Sequence, residues 1–195
     1  SLSLGGSVSV EVAASSALAV LLAEVGDKTM LSTVLFAINT RRYALVLLVS
    51  ALAFILANTL VVLIGYFALL LVDLSVLELV AGVILVATGL WIALSWRAER
   101  SEATARCSVL SCFTTVLLME MGDKTQLAVF SLTVLYAAPV YVLLCGALGY
   151  LAANVIGVLV AKTITSRVEW GRVRLVAGVL MALLGAITVT RALTS

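Results

Sequence analysis

Glu24-Val25-Gly26-Asp27-Lys28-Thr29 and, 96 positions on, Glu120-Met121-Gly122-Asp123-Lys124-Thr125 are two copies of one pattern. Each copy sets two carboxylates, a glycine and a lysine inside an otherwise apolar run. What surrounds them decides the fold. The chain of 195 residues is 64% hydrophobic and only 11% charged, whereas soluble domains are about half apolar and about a quarter charged. So much apolar surface fits an all-α integral membrane protein. A hydrocarbon core of ~30 Å takes roughly 20 apolar residues per helix.

Six apolar runs fit that length: 8–38, Tyr43 to Leu71, Leu79 to Trp96, Cys107 to Tyr136, Val140 to Ala161 and Leu175 to Thr190. Between them lie Asn39-Thr40-Arg41-Arg42, an acidic turn from Asp73 to Glu78, a polar linker, a turn at Pro139, and a basic loop from Lys162 to Arg174. Trp91 and Trp96 suit interfacial anchors. The segment before the first run carries no basic residue, unlike a secretory leader, and reads as a short extramembrane lead-in. Cys107, Cys112 and Cys145 show no CxxC pairing and read as small apolar fillers. With no histidine, proton chemistry would fall to carboxylates or, less easily, to lysine.

The offset of 96 persists beyond the motif. Ala57-Asn58 maps to Ala153-Asn154, the stretch 79–83 to 175–179, and Gly89 to Gly185. Matched Glu, Gly, Asp, Lys, Thr and Asn in one register point to an internal duplication. The expected organisation is a first repeat over 1–96, a linker over 97–106 and a second repeat over 107–195. Three spans per repeat is an odd number, so the second repeat enters from the opposite side. This is the inverted-repeat plan of secondary transporters, with the site near the midplane. Arg41, Arg42, Arg97, Arg100, Arg106, Lys162, Arg167, Arg172 and Arg174 all fall on one side, with Arg191 opposite. The positive-inside rule makes the basic side cytoplasmic and places both termini outside.

As a continuous helix, the first run projects Glu24, Asp27 and Lys28 from one broad face, and the fourth does the same with Glu120, Asp123 and Lys124. Glu24 precedes Ile38 by about 21 Å of helix, well within the hydrocarbon. Intramembrane charges are costly and face a cavity or a partner. Four carboxylates and two lysines sum to a formal charge of −2, which one divalent cation or two protons would cancel. Oxygen ligands suit Ca²⁺, Mg²⁺ or Mn²⁺, and the lack of a Cys/His cluster argues against zinc or copper. Gly26 and Gly122 permit close approach or local unwinding. Thr29, Thr125, Asn58 and Asn154 are candidate further ligands or supports, although hydroxyl back-bonding and interhelical hydrogen bonds are their ordinary roles. Gln126 and Met30 occupy equivalent positions after the motif. They could add an oxygen or a thioether, against the commoner packing role of methionine. Gly82, Gly89, Gly178 and Gly185 suggest tight helix packing.

A doubled Glu-x-Gly-Asp-Lys-Thr, one copy per repeat, resembles the Gdt family of cation/proton exchangers. Its bacterial members are regarded as manganese exporters and its Golgi members as calcium and manganese transporters. The resemblance spans nearly the whole chain. It implies that Glu24, Asp27, Glu120 and Asp123 form the cation site, with Mn²⁺ as the first expectation for cargo and Ca²⁺ the next, exported against protons. Lys28 and Lys124 would trim the site's charge. The short termini resemble prokaryotic members, which implies the cytoplasmic membrane. The bilayer and the transported ions are then the partners, with no nucleic acid and no prosthetic group. A Ca²⁺/H⁺ or Na⁺-coupled exchanger is the nearest alternative, and a passive channel or a membrane scaffold lies further off. No nucleophile–base pair or nucleotide loop suggests an enzyme.

Overall fold

The computed structural model describes residues 10–94, 108–163 and 170–194. Trp96, Cys107, the 97–106 linker and Arg167 lie outside the described residues, as do the side chains of Lys162 and Arg174. Every regular element among the described residues is a helix: α1 (Val10–Glu24), α2 (Lys28–Thr40), α3 (Tyr43–Leu71), α4 (Leu74–Leu94), α5 (Val109–Glu120), α6 (Lys124–Tyr136), α7 (Pro139–Thr163) and α8 (Trp170–Thr194). Tyr43–Leu71, Leu74–Leu94, Pro139–Ala161 and Leu175–Thr194 are long and apolar enough to cross a membrane. The protein is a multi-pass, all-helical membrane protein.

The first and fourth runs are not the continuous helices expected from their hydropathy. Each breaks inside its motif. α1 has 15 residues and α2 has 13, lengths of ~22 and ~20 Å, so neither is long enough to cross a ~30 Å hydrocarbon core alone. α5 and α6 divide the fourth run in the same way, with 12 and 13 residues. The acidic turn also differs from expectation. Only Val72 and Asp73 separate α3 from α4, and Leu74 onward is helical. Pro139 opens α7, where its missing N–H and fixed φ suit the first helical turn.

Element boundaries recur at the offset of 96: Glu24 with Glu120, Lys28 with Lys124, Thr40 with Tyr136, Tyr43 with Pro139, and Leu74 with Trp170. Arg41 (φ 55) and Ala137 (φ 49) follow α2 and α6 in the same left-handed turn, so the backbone repeats even where the side chains do not.

α4 and α8 form the most extensive helix pair. A Cβ on Gly89 would lie 2.4 Å from the Ala182 nitrogen, and one on Gly178 would lie 2.4 Å from the Gly89 carbonyl oxygen. Gly82 and Gly185 face each other's carbonyl oxygens in the same way, so the four glycines set backbone-to-backbone contact, as small residues do in membrane helix pairs. α3 turns Leu48, Leu52, Leu56 and Leu60 outward, an apolar stripe suited to lipid. The interior carries the polar groups: Glu24, Asn58, Glu120, Thr125 and Asn154 are all fully buried. At one end a cavity of ≈ 410 Å³ is lined by Glu11 of α1, Glu78 of α4, Tyr136 of α6, and Thr188 and Arg191 of α8, among others. The start of α1 and the ends of α6 and α8 thus share one face of the protein.

Candidate cation site

Each motif folds as a helix end, a tight turn and a helix start. Gly26 has φ 76 and Gly122 φ 78, a left-handed conformation that costs an L-residue about 1–2 kcal/mol and glycine almost nothing. The Asp27 amide donates to the Glu24 carbonyl at 2.9 Å, and Asp123 donates to Glu120 at 3.3 Å. Asp27 then caps α2 with extended backbone (φ −79, ψ 163), its carboxylate accepting from the Thr29 amide. Aspartate is among the best residues for that position, and its charge meets the positive end of the helix dipole. The expected single helical face of Glu24, Asp27 and Lys28 is therefore corrected. Glu24 ends one helix and Asp27 begins the next. Two helix C-termini and two N-termini meet inside the protein, as at the ion sites of transporters with broken helices.

Partners are chosen across the two copies. The buried Lys124 ammonium pairs closely with Asp27 and lies 3.3 Å from its own neighbour Asp123. Lys28 reaches Asp123 at 3.6 Å. The Thr125 hydroxyl donates to Glu24 Oε1 at 2.5 Å. Glu120 is fully buried, and neither carboxylate oxygen has a hydrogen-bond partner among the described residues. It nonetheless lies within electrostatic reach of Glu24, Asp27, Asp123 and Lys124. All four carboxylates thus share one region. Among the described residues no three acidic or cysteine side chains close on a single ion-sized point. The Lys124 ammonium stands between Asp27 and Asp123 and serves as the cation there.

Asn58 and Asn154 behave alike. Each amide nitrogen donates to the carbonyl one turn back in its own helix, Phe54 at 3.0 Å and Tyr150 at 2.9 Å. A carbonyl only accepts, so the amide orientation is set and each Oδ1 is the free end. Both Oδ1 atoms are buried without a donor. Gln126 uses both ends of its amide on backbone, accepting from Gly122 N at 2.8 Å and donating to Ala57 O at 2.9 Å. It braces the second turn against α3. Met30 is buried, and its sulfur sits against Gly157 of α7. The Thr29 hydroxyl is buried without a partner. Cys112 is a buried free thiol, and Cys145 a half-buried one.

Sequence reasoning passed over Tyr150. Its ring is fully buried and stacks on Phe54 with centroids 4.6 Å apart. Its hydroxyl lies near those of Thr33 and Ser50 and within electrostatic reach of Glu120 and Glu24. The signal was available, because Phe54 and Tyr150 are equivalent at the offset of 96. One copy has gained a hydroxyl at the centre of a stacked pair.

A doubled, buried, cross-paired acidic turn is a specific arrangement, and the chain carrying it has identifiable relatives. A family model for the divalent cation/proton antiporter GDT1 matches residues 12–100 and again 108–195. The chain belongs to the GDT1 family. It is also 30% identical over 181 residues, 92% of this chain and 90% of the other, to a candidate manganese exporter of Vibrio cholerae. No solved structure matches. This GDT1 family member is accordingly a transporter of divalent cations and not an enzyme. The two matched stretches each contain one acidic turn, so the family's defining segment occurs twice within one chain.

Proposed function

We propose that this protein exports Mn²⁺ from the cytoplasm in exchange for protons, through a site made by Glu24, Asp27, Glu120 and Asp123. The observation that carries the reading is the position of these groups. All four are buried at the helix ends where the two turns meet, with Lys124 held between Asp27 and Asp123. A site that already attracts an ammonium to that point attracts a divalent cation more strongly, once Lys124 withdraws. The ion would meet up to four carboxylates, with the free Oδ1 atoms of Asn58 and Asn154 as neutral oxygen donors. Their amide hydrogens are already tied to the backbone, so the oxygens approach an ion without competing donors. Lys28 and Lys124 neutralise the carboxylates when the ion has left, while Gln126 and Met30 shape the walls.

Hard oxygen donors suit Mn²⁺ and Ca²⁺ alike. The Vibrio cholerae relative supports manganese, and the two asparagine carbonyls favour Ca²⁺ as the second reading. Protons are the natural counter-charge because the four carboxylates must be neutralised on the return step, and buried unpaired charge is costly. The chain is read as six spans in two inverted three-span repeats, with α1–α2 and α5–α6 each counting as one broken span. The shared face of the α1 start and the α6 end supports opposite directions for the two broken spans. Arg41, Arg42 and the other loop basics then mark the cytoplasmic side, with both termini outside a prokaryotic cytoplasmic membrane.

Reconstitution into proteoliposomes tests this directly. Imposed pH gradients should drive Mn²⁺ movement, with Glu24→Gln and Glu120→Gln each abolishing it. Mn²⁺ flux that ignores the pH gradient would remove proton coupling. A preference for Ca²⁺ over Mn²⁺ would hand the site to the second reading.

A further inference from the structure

The two motifs are chemically almost the same, yet their cross-repeat bonds are unequal in every respect that can be compared. Shifting each contact by 96 positions generates its counterpart. Thr125 donates to Glu24 at 2.5 Å, whereas the equivalent pair, Thr29 and Glu120, is unbonded on both sides. Lys124 is buried and pairs closely with Asp27, whereas Lys28 is 38% exposed and 3.6 Å from Asp123. The backbone follows the same division. Val25 is 7% exposed and Gly26 is buried, while Met121 is 60% exposed and Gly122 is open. Helix packing does as well: α4 lies along α6, but the equivalent packing of α8 on α2 is marginal or absent among the described residues, and α8 rests on α1.

We propose that Lys28 and Thr29 on one side, and Lys124 and Thr125 on the other, are alternating positioning residues, each pair gripping the carboxylates of the opposite repeat in turn. The structure holds the Lys124–Thr125 grip on Glu24 and Asp27 closed and the Lys28–Thr29 grip on Glu120 and Asp123 open. The exchanged state closes Thr29 on Glu120 and Lys28 on Asp123, buries the Gly122 turn and opens the Gly26 turn. An open grip leaves one glutamate free for an arriving ion, here Glu120, with Asp123 beside it held only by the longer ion pairs to Lys124 and Lys28, while the closed grip keeps Glu24 and Asp27 partnered. The inference rests on the reading of these carboxylates as the ion's ligands, but its geometry is a property of the ion-free protein.

The test uses full-length protein in lipid nanodiscs without metal, with cysteine reporters at the equivalent positions Val25→Cys and Met121→Cys. Maleimide labelling is corrected for that of the parent's own cysteines. Met121→Cys should label faster than Val25→Cys. Thr125→Val removes the closed bond and should move that ratio toward or past unity. Thr29→Val removes only a bond of the other state and should widen the ratio. Shifts of about 10- to 100-fold are expected, the population change that loss of one hydroxyl–carboxylate hydrogen bond produces. Thr29→Ser and Thr125→Ser keep the hydroxyl and should restore the parent ratio. Should Thr125→Val fail to fold, Thr29→Val, which breaks no bond here, carries the test alone. Equal labelling of the two reporters, shifts in the same direction, or a Thr29→Val ratio equal to the parent's would overturn the proposal. Opposed shifts in a protein that moves no Mn²⁺ would leave the grip standing and remove the proposed cargo.

Discussion

Glu120→Met should make the ion-free protein more stable while abolishing transport. Glu120 is fully buried, and both of its carboxylate oxygens are without a hydrogen-bond partner. Leaving a buried polar group unsatisfied costs about 1–3 kcal/mol, more when it is charged. Methionine is similar in length and apolar, so it removes that cost without opening a cavity. For a chain of this size 1 kcal/mol moves the midpoint by roughly 2–4 °C, so the metal-free Tm in detergent should rise by about 2–12 °C. The equivalent change, Glu24→Met, should not raise it, because it discards the 2.5 Å bond from Thr125 and strands that hydroxyl. Added Mn²⁺ should stabilise the parent by mass action, by about 2.7 kcal/mol at a hundred times Kd, and so raise its Tm, and should do nothing for Glu120→Met. The assay is a thermal melt followed by tryptophan fluorescence, with and without metal. A metal-free Tm for Glu120→Met at or below the parent's, or equal effects of the two glutamate substitutions, would refute the reasoning.

The lysines should separate just as sharply. Lys124→Met takes the buried ammonium away from Asp27 and Asp123, a loss of roughly 3–5 kcal/mol, and should lower Tm by about 6–20 °C. Lys28→Met breaks a half-exposed, longer pair and should change Tm by ~2 °C or less, as melts of the two purified variants would record. Asn58→Leu and Asn154→Leu should leave the metal-free Tm close to the parent's but weaken the Mn²⁺-induced shift about tenfold in metal concentration, about the loss of one ligand's 1.4 kcal/mol. Isothermal titration checks this. Gly89→Leu would drive a side chain into Ala182 and Gly178 backbone atoms 2.4–2.6 Å from its Cβ. It should collapse the yield of monodisperse protein on size-exclusion chromatography, whereas Gly122→Ala, with nothing within 4 Å of the added carbon, should lose only the ~1–2 kcal/mol of backbone strain.

Much of this was legible in the chain because it follows from composition and spacing. The membrane class came from apolar content, α3 matched its expected limits at Tyr43 and Leu71, and the glycines of α4 and α8 proved to be contact points. The breaks at Gly26 and Gly122 were only half legible. Glycine tolerates both the helix interior and the left-handed turn, and hydropathy runs through the turn without a mark. What decides for the turn is the capping aspartate and the lysine of the other copy, and the second of these is a tertiary contact. The helical i, i+4 rule would pair Glu24 with Lys28, yet the strong partner of the first motif is Lys124, 97 positions from Asp27. No local rule reaches that far. The start of α4 was hidden for a related reason: Asp73 and Glu78 look like loop residues, but Glu78 faces a polar cavity and remains within the helix.

What no sequence can display is the inequality between the two motifs. Their residues match at five of six positions, so the bonding chemistry offered to Glu24 by Thr125 and to Glu120 by Thr29 is the same. A difference in bonding between identical groups is a difference of conformation, and the proposed exchanged state is its mirror arrangement. Near-degeneracy is what a two-state carrier requires, since a ligand shifts a population only by its differential affinity for the states. Duplication supplies that degeneracy without tuning. On that proposal the bias between the states rests on positions where the copies have diverged, among them Met30 against Gln126 and Phe54 against Tyr150. Gln126 braces the exposed turn through Gly122 and Ala57, while its counterpart Met30 has no such hydrogen-bonding reach. Replacing Gln126 with Met makes the copies alike there. It should therefore weaken the preference for the arrangement seen here and bring the labelling of Val25→Cys and Met121→Cys closer together. An unchanged ratio would place the bias elsewhere, with Tyr150→Phe as the next substitution to equalise the copies.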